Sequence, residues 1–239
     1  MRKSLENFTQ EYLDDILVRL AHHSAGIEGN TISLPATVSI IVNGTLPTSS
    51  GATVREFYEI ENHKQAFERV SSHLINGNPL SVSIIKEIHA DLTDRLQYDK
   101  GQFKKTENMI LGAEFQTASP TETPVLVAQL VDSLQYRLDN AKTSDNKLLA
   151  ILDTHIQFER IHPFSDGNGR TGRMIMVYSL LQEGFPPLII EKETKAQYIE
   201  FLATQDVESF FQFAKEKLDK EQKRMQAFNN MDQEQIKYE

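Results

Sequence analysis

The chain has 239 residues, enough to bury a sizeable core, and the length favours one domain with an appendage over a single large domain. Its 25 basic and 34 acidic residues leave a net charge of −9, which argues against a nucleic-acid-binding surface and confines any nucleotide to a local basic pocket or a metal-bridged site. The absence of cysteine excludes disulfides and thiolate zinc sites, and no apolar run suggests a membrane span or a signal region, so a cytoplasmic protein away from membranes is expected.

Leu5, Phe8, Tyr12, Ile16, Leu20 and Ile27 form an apolar stripe that predicts a helix over about residues 4 to 28. Turn formers fill 43–51, which reads as a loop. Helical spacing resumes with Phe57, Ile60, Phe67 and Val70, and again with Ile84, Ile85, Ile88 and Leu92. The turn Asn76–Pro79 separates the two, and Ser81 is a candidate cap for the second. Residues 106–124 break the pattern: a short hairpin and a surface loop both fit. Helical patterns return at 125–138 and around Leu148, Leu149, Ile151, Leu152 and Ile156. From Ala214 to Glu239 a Lys-, Glu- and Gln-rich stretch predicts a solvated, fraying terminal helix without chemistry.

Residues 162–173 read His-Pro-Phe-Ser-Asp-Gly-Asn-Gly-Arg-Thr-Gly-Arg and concentrate what a phosphate-handling site needs. Gly167 and Gly169 let backbone N–H groups approach an anion, and a helix N-terminus there makes an anion pocket. Arg170 and Arg173 offer planar forks for phosphate oxygens. Asp166 can hold a magnesium ion that bridges phosphates. His162 suits a general base near neutral pH. Gly167-Asn-Gly169-Arg-Thr-Gly172 also satisfies a dinucleotide fingerprint, but the helical lead-in and the roles of His162 and Asp166 speak against that fold. No P-loop sequence occurs.

The segment resembles, at every fixed position, the defining motif of Fic-domain proteins, His-x-Phe-x-Asp/Glu-Gly-Asn-Gly-Arg-x-x-Arg. With Phe158–His162, Ile84–Leu96 and Gly101–Leu111 the resemblance extends over about residues 20 to 215. It implies an all-α fold, a Fic-type helical bundle with a short β-hairpin flap, divided into an N-terminal region at 1–78, a catalytic core at 79–215 and a charged tail at 216–239. It further implies transfer of AMP from ATP to a Ser, Thr or Tyr hydroxyl of a protein, the chain itself included, with Mg2+ and release of pyrophosphate. By this resemblance His162 is the base, Phe164 the core anchor, and Asp166 the metal ligand. Gly167, Asn168 and Gly169 form the anion hole, Arg170 binds phosphate, and Arg173 pairs with the γ-phosphate. Glycine at 167 favours AMP transfer, because relatives that transfer phosphate typically carry alanine there. Met109, Ile110, Leu111 and Gly112 would lie in a flap that docks the target by main-chain pairing.

Ser24 and Glu28 lie four residues apart, on one face of a helix ending near Gly29. Spacing alone fits an ordinary helix end. The Ser24–Asn30 segment nevertheless resembles the family's inhibitory motif, located before the core as in the N-terminally inhibited class. That implies a Glu28–Arg173 ion pair that blocks the γ-phosphate. The sequence leaves the oligomeric state open, with release of Glu28 by a change in homo-oligomeric assembly as one regulatory route. Two other functions stay open: removal of AMP by water that Glu28 positions, and nucleotide binding without turnover. His22, His23, His63, His73, His89 and His155 read as ordinary helix residues.

Overall fold

The computed structural model describes residues 8–47, 51–109 and 115–236, the last six of these without side chains. Every regular element among them is helical: α1 (Gln10–Ile27), α2 (Leu34–Asn43), α3 (Val54–Ile75), α4 (Val82–Leu92), α5 (Thr123–Asn140), α6 (Ser144–Ile161), α7 (Asn168–Gln182), a short 3-10 helix (Lys192–Thr194), α8 (Lys195–Thr204) and α9 (Val207–Ile236). The protein is all-α.

Local chemistry sets the starts. Thr9, Ser33, Thr53, Ser81 and Thr143 each accept a backbone N–H of the following first turn, and Thr53 with Glu56 completes a reciprocal capping box before α3. α7 behaves differently. Its N-cap, Gly167, supplies no side-chain cap, and Met174, Ile175, Met176, Val177, Tyr178, Leu180 and Leu181 are all buried. A helix apolar on every side belongs in the centre of a fold, and α1, α3, α4 and α6 pack around this one.

Two expectations change. The predicted fraying tail is part of a helix that is fastened to α1: Glu221 accepts from the Tyr12 hydroxyl at 2.9 Å and from both Arg19 terminal nitrogens at 2.6 and 2.9 Å. Arg224 forks onto Asp15 at 2.5 and 2.8 Å, so the charges that look solvated in sequence form cross-helix pairs. The second concerns the hairpin at 106–118. Residues 106–109 and 115–118 have no strand structure, whereas Ile110, Leu111 and Gly112 lie outside the described residues. No described helix is long and apolar enough to cross a membrane.

Candidate active site

The motif occupies the turn between α6 and α7. His162 closes α6 in a left-handed conformation, φ 51°, a state that costs a non-glycine residue energy and persists only where surroundings enforce it. Phe164 enforces it from below. Its ring is fully buried, stacks on His89 at 3.7 Å between centroids, and touches Phe103 and Phe158. Asn168 then brackets the Phe164 backbone, accepting its N–H and donating to its carbonyl, both at 2.8 Å. His89 accepts the Gly101 N–H at Nδ1, so its Nε2–H donates to the Asp166 carbonyl at 3.0 Å. Burial pushes this imidazole down to about 4, which keeps the ring neutral as that pattern requires.

The His162 ring has a defined polarity. Nδ1 lies 3.2 Å from the Glu159 carbonyl, which can only accept, so Nδ1 carries the proton and Nε2 presents its lone pair. Burial lowers the His162 pKa, which favours this basic form at neutral pH.

Six residues after His162, α7 begins. Gly167 adopts φ 77°, and a Cβ there would reach 2.8 Å from Thr93 Cγ2, so both conformation and space demand glycine. With no side-chain cap, the first-turn N–H groups of Asn168, Gly169 and Arg170 lack helical partners and form an anion cradle. Arg170 is buried, and its Nε and Nη1 make no hydrogen bond. A buried guanidinium with unpaired donors is costly until an anion takes them.

Asp166 borders this cradle with half of its side chain exposed. Its Oδ1 accepts the Gly167 N–H at 2.6 Å and its Oδ2 accepts Arg55 Nη2 at 3.0 Å. Burial works against the charge, but the Gly167 N–H and the Arg170 charge outweigh it and hold the carboxyl below its ordinary range. No cluster of three potential ligands exists among the described residues, so one ionised carboxylate beside a phosphate cradle is what a cation would meet. Magnesium suits that donor set, because it commonly takes one or two carboxylates plus phosphate and water.

The end of α1 closes the other side. Arg173 is buried; its Nη2 donates to Glu28 Oε1 at 2.6 Å and to the Ser24 carbonyl at 2.9 Å, and its Nε donates to Ser24 Oγ at 3.0 Å. Burial would raise the Glu28 carboxyl, yet the Arg173 charge reverses that and holds it below its usual value. Glu28 remains 41% exposed and leans over Gly169, where any Cβ would collide with its Oε1. Below the pair lies Glu159, whose carboxyl is pushed up to about 8 by burial and whose Oε1 has no hydrogen-bond partner.

All the motif residues expected from sequence therefore meet in one place, with Ser24 and Glu28 delivered from another helix. Met109 is highly exposed nearby in sequence, and its three flap companions lie outside the described residues. Sequence reasoning missed His89, Glu159, Arg55, Lys104 and Asn108. No local motif marks them, since each acts through neighbours distant in sequence.

Residues 79–180 match the model of the Fic/DOC family. The chain belongs to the Fic/DOC family. It is 31% identical over 199 residues to protein adenylyltransferase Fic of Culex quinquefasciatus, covering 80% of this chain and 38% of that protein. It is 28% identical over 180 residues to protein adenylyltransferase fic-1 of Caenorhabditis elegans, covering 74% and 34% respectively. The chain thus spans well under half the length of these curated relatives. Among solved structures, a Fic domain containing signaling protein from Bacteroides thetaiotaomicron superimposes with a TM-score of 0.74 at 29% identity, over 86% of this chain and 79% of that one. Fic-1 from C. elegans gives 0.75 at 25% identity, over 90% and 64%. In this Fic protein the family-model match begins just before α4 and ends within α7, so α1 and Glu28, which caps it, lie outside the match.

Proposed function

We propose that this Fic protein transfers AMP from ATP to a protein side-chain hydroxyl and that Glu28 restrains it. One observation carries the reading: the buried, unpaired Arg170 beside the uncapped α7 N-terminus, in the same turn as a His162 whose Nδ1 is engaged and whose Nε2 carries the lone pair. The turn thus joins an anion cradle to a base. The curated relatives named protein adenylyltransferases support ATP as the donor.

The first-turn N–H groups of α7 and Arg170 hold the phosphates, and Arg173, once released by Glu28, receives the γ-phosphate. His162 Nε2 takes the proton of the acceptor hydroxyl. The resulting oxygen attacks the α-phosphorus, the bond from that phosphorus to the bridging oxygen breaks, and pyrophosphate leaves. Catalysis is then positioning plus charge neutralisation. Asp166 would hold a magnesium ion, which supplies positive charge across the phosphates. Met109 to Gly112 would present a main-chain edge to an extended target segment, with Ser, Thr or Tyr as acceptor and this chain as one candidate target. Absence of cysteine fits the reducing cytoplasm.

Mass spectrometry of Glu28→Gly after incubation with ATP and magnesium tests the reading. A gain of one AMP, absent in Glu28→Gly/His162→Ala, supports it; a folded, nucleotide-bound protein without that gain overturns it. The partial exposure of Glu28 favours one second reading, since the carboxylate can also orient a water for removal of AMP. Release of AMP from a modified target by the parent and not by Glu28→Gly distinguishes that activity.

A further inference from the structure

Four consecutive carbonyls of the catalytic turn are held by two residues outside it. Lys104 Nζ lies 3.3 Å from the Ile161 carbonyl, and the Lys104 N–H donates to the Pro163 carbonyl at 2.9 Å. Asn108 Nδ2 donates to the carbonyls of His162 at 3.2 Å and Phe164 at 2.8 Å. The two residues are themselves joined, because Lys104 Nζ donates to Asn108 Oδ1 at 2.7 Å. Thr117 completes the arrangement. Its Oγ accepts from Lys104 Nζ at 3.2 Å and stands 2.9 and 2.7 Å from the carbonyl and Oδ1 of Asn108.

Lys104 is 4% exposed, and no carboxylate pairs with it among the described residues; neutral oxygens take its protons. Buried lysines are rare, and one that the Glu107 charge favours without a direct ion pair needs a reason. Asn108 and Thr117 bracket the segment 109–116, which includes the residues assigned to target docking. The left-handed backbone of His162 sits at the other end of the same bonds.

We propose that Lys104 and Asn108 are positioning residues that brace the catalytic turn and so fix His162 Nε2 relative to the acceptor hydroxyl. This rests on the transferase reading above. Neither residue touches nucleotide in that scheme, so the brace governs the transfer step and leaves ATP binding alone.

The test uses Lys104→Met and Lys104→Arg in the Glu28→Gly protein. Lys104→Met is expected to lower the AMP-transfer rate by about ten- to a hundredfold, the range a small misplacement of reacting groups produces. Its affinity for a non-hydrolysable ATP analogue should stay within about twofold, and Lys104→Arg, which keeps the donors, should recover most of the rate. Transfer at the parental rate, or a loss of nucleotide affinity in step with the rate, overturns the proposal. If Lys104→Met does not fold, Thr117→Val removes one member at constant volume and is read by the same criteria.

The His162 imidazole NMR signal gives a readout that needs no transfer. The Lys104 charge lowers the pKa of that ring, against the opposing Glu28 and Asp166 charges, so Lys104→Met should shift its titration upward and Lys104→Arg should not. A protein that binds the analogue yet never transfers AMP sinks the transferase reading. Transfer at the parental rate by a folded Lys104→Met protein sinks the brace.

Discussion

Arg173 and Glu28 are separated by 145 positions in the chain and by 2.6 Å in space, and the arginine is buried while the glutamate is half in solvent. The pair therefore has an asymmetric design. Glu28 can leave for water at modest cost, but Arg173 cannot, and its donors need a replacement anion.

Removing the carboxylate should accordingly free Arg173 for a phosphate. Glu28→Gly is expected to raise AMP incorporation by roughly 5- to 150-fold, the span of a coupling of about 1–3 kcal/mol. Quantitative mass spectrometry under identical ATP and magnesium concentrations measures it. Ser24→Ala, which removes only the hydroxyl accepting from Arg173 Nε, should produce a smaller rise in the same direction.

His162 supplies the next expectation. His162→Ala should cost about 10²- to 10⁴-fold in transfer rate, the usual worth of a positioned base, while nucleotide affinity is retained. Because burial lowers the pKa of this ring from 6.5, the acid limb of kcat/KM should fall below pH 6.5 and not above it. A limb centred above that value contradicts the assignment.

Asp166 has a competitor in Arg55, whose Nη2 donates to it at 3.0 Å across an exposed pair. Such pairs are worth about 0.2–1 kcal/mol, so Arg55→Ala should tighten divalent-cation binding in the presence of a non-hydrolysable ATP analogue by roughly 1.4- to 5-fold. Manganese titration followed by electron paramagnetic resonance reads the change directly. Asp166→Ala should weaken the same binding, and Arg55→Ala should have no effect in that background.

Glu159 gives a pH-dependent stability. Its folded pKa is pushed up to about 8 by burial, with Arg173 opposing and Glu28 reinforcing, against an ordinary value of 4.5. Between those values the folded chain keeps a proton that the unfolded chain releases, so stability is fully present below 4.5 and is lost as pH rises toward 8. Glu159→Gln removes this dependence. Thermal melts should show the variant gaining Tm relative to the parent as pH rises through that window, with the smallest gain at its acid end. His63 and His155, both held near 3, bias stability the opposite way at lower pH, but identically in both proteins.

Much of the site was legible because its chemistry is contiguous. His162, Asp166, the glycines and both arginines fall within one turn and one helix start, where spacing alone places them. Asn168 shows the limit of that reading. The residue is expected in the anion hole, and its side chain is committed to the Phe164 backbone, which leaves its N–H for the anion. His89 read as an ordinary helix residue, and nothing in its neighbourhood says that it lies flat beneath Phe164. The tail misled for a related reason: Glu221 and Arg224 look solvated in a charged sequence until α1 supplies Tyr12, Arg19 and Asp15.

By itself the sequence determined the helical character and the phosphate-handling motif, because periodicity, capping chemistry and glycine requirements are local properties, whereas the Ser24–Glu28 pair stood out only by its resemblance to the family's inhibitory motif. Tertiary structure decided the rest. Packing of α1 against α7 brings Glu28 to Arg173, burial of Arg170 leaves it in want of an anion, and Lys104 and Asn108 reach the carbonyls around His162. Charge pairing and desolvation depend on distance and solvent exposure, and the chain sets both only when its distant parts pack together.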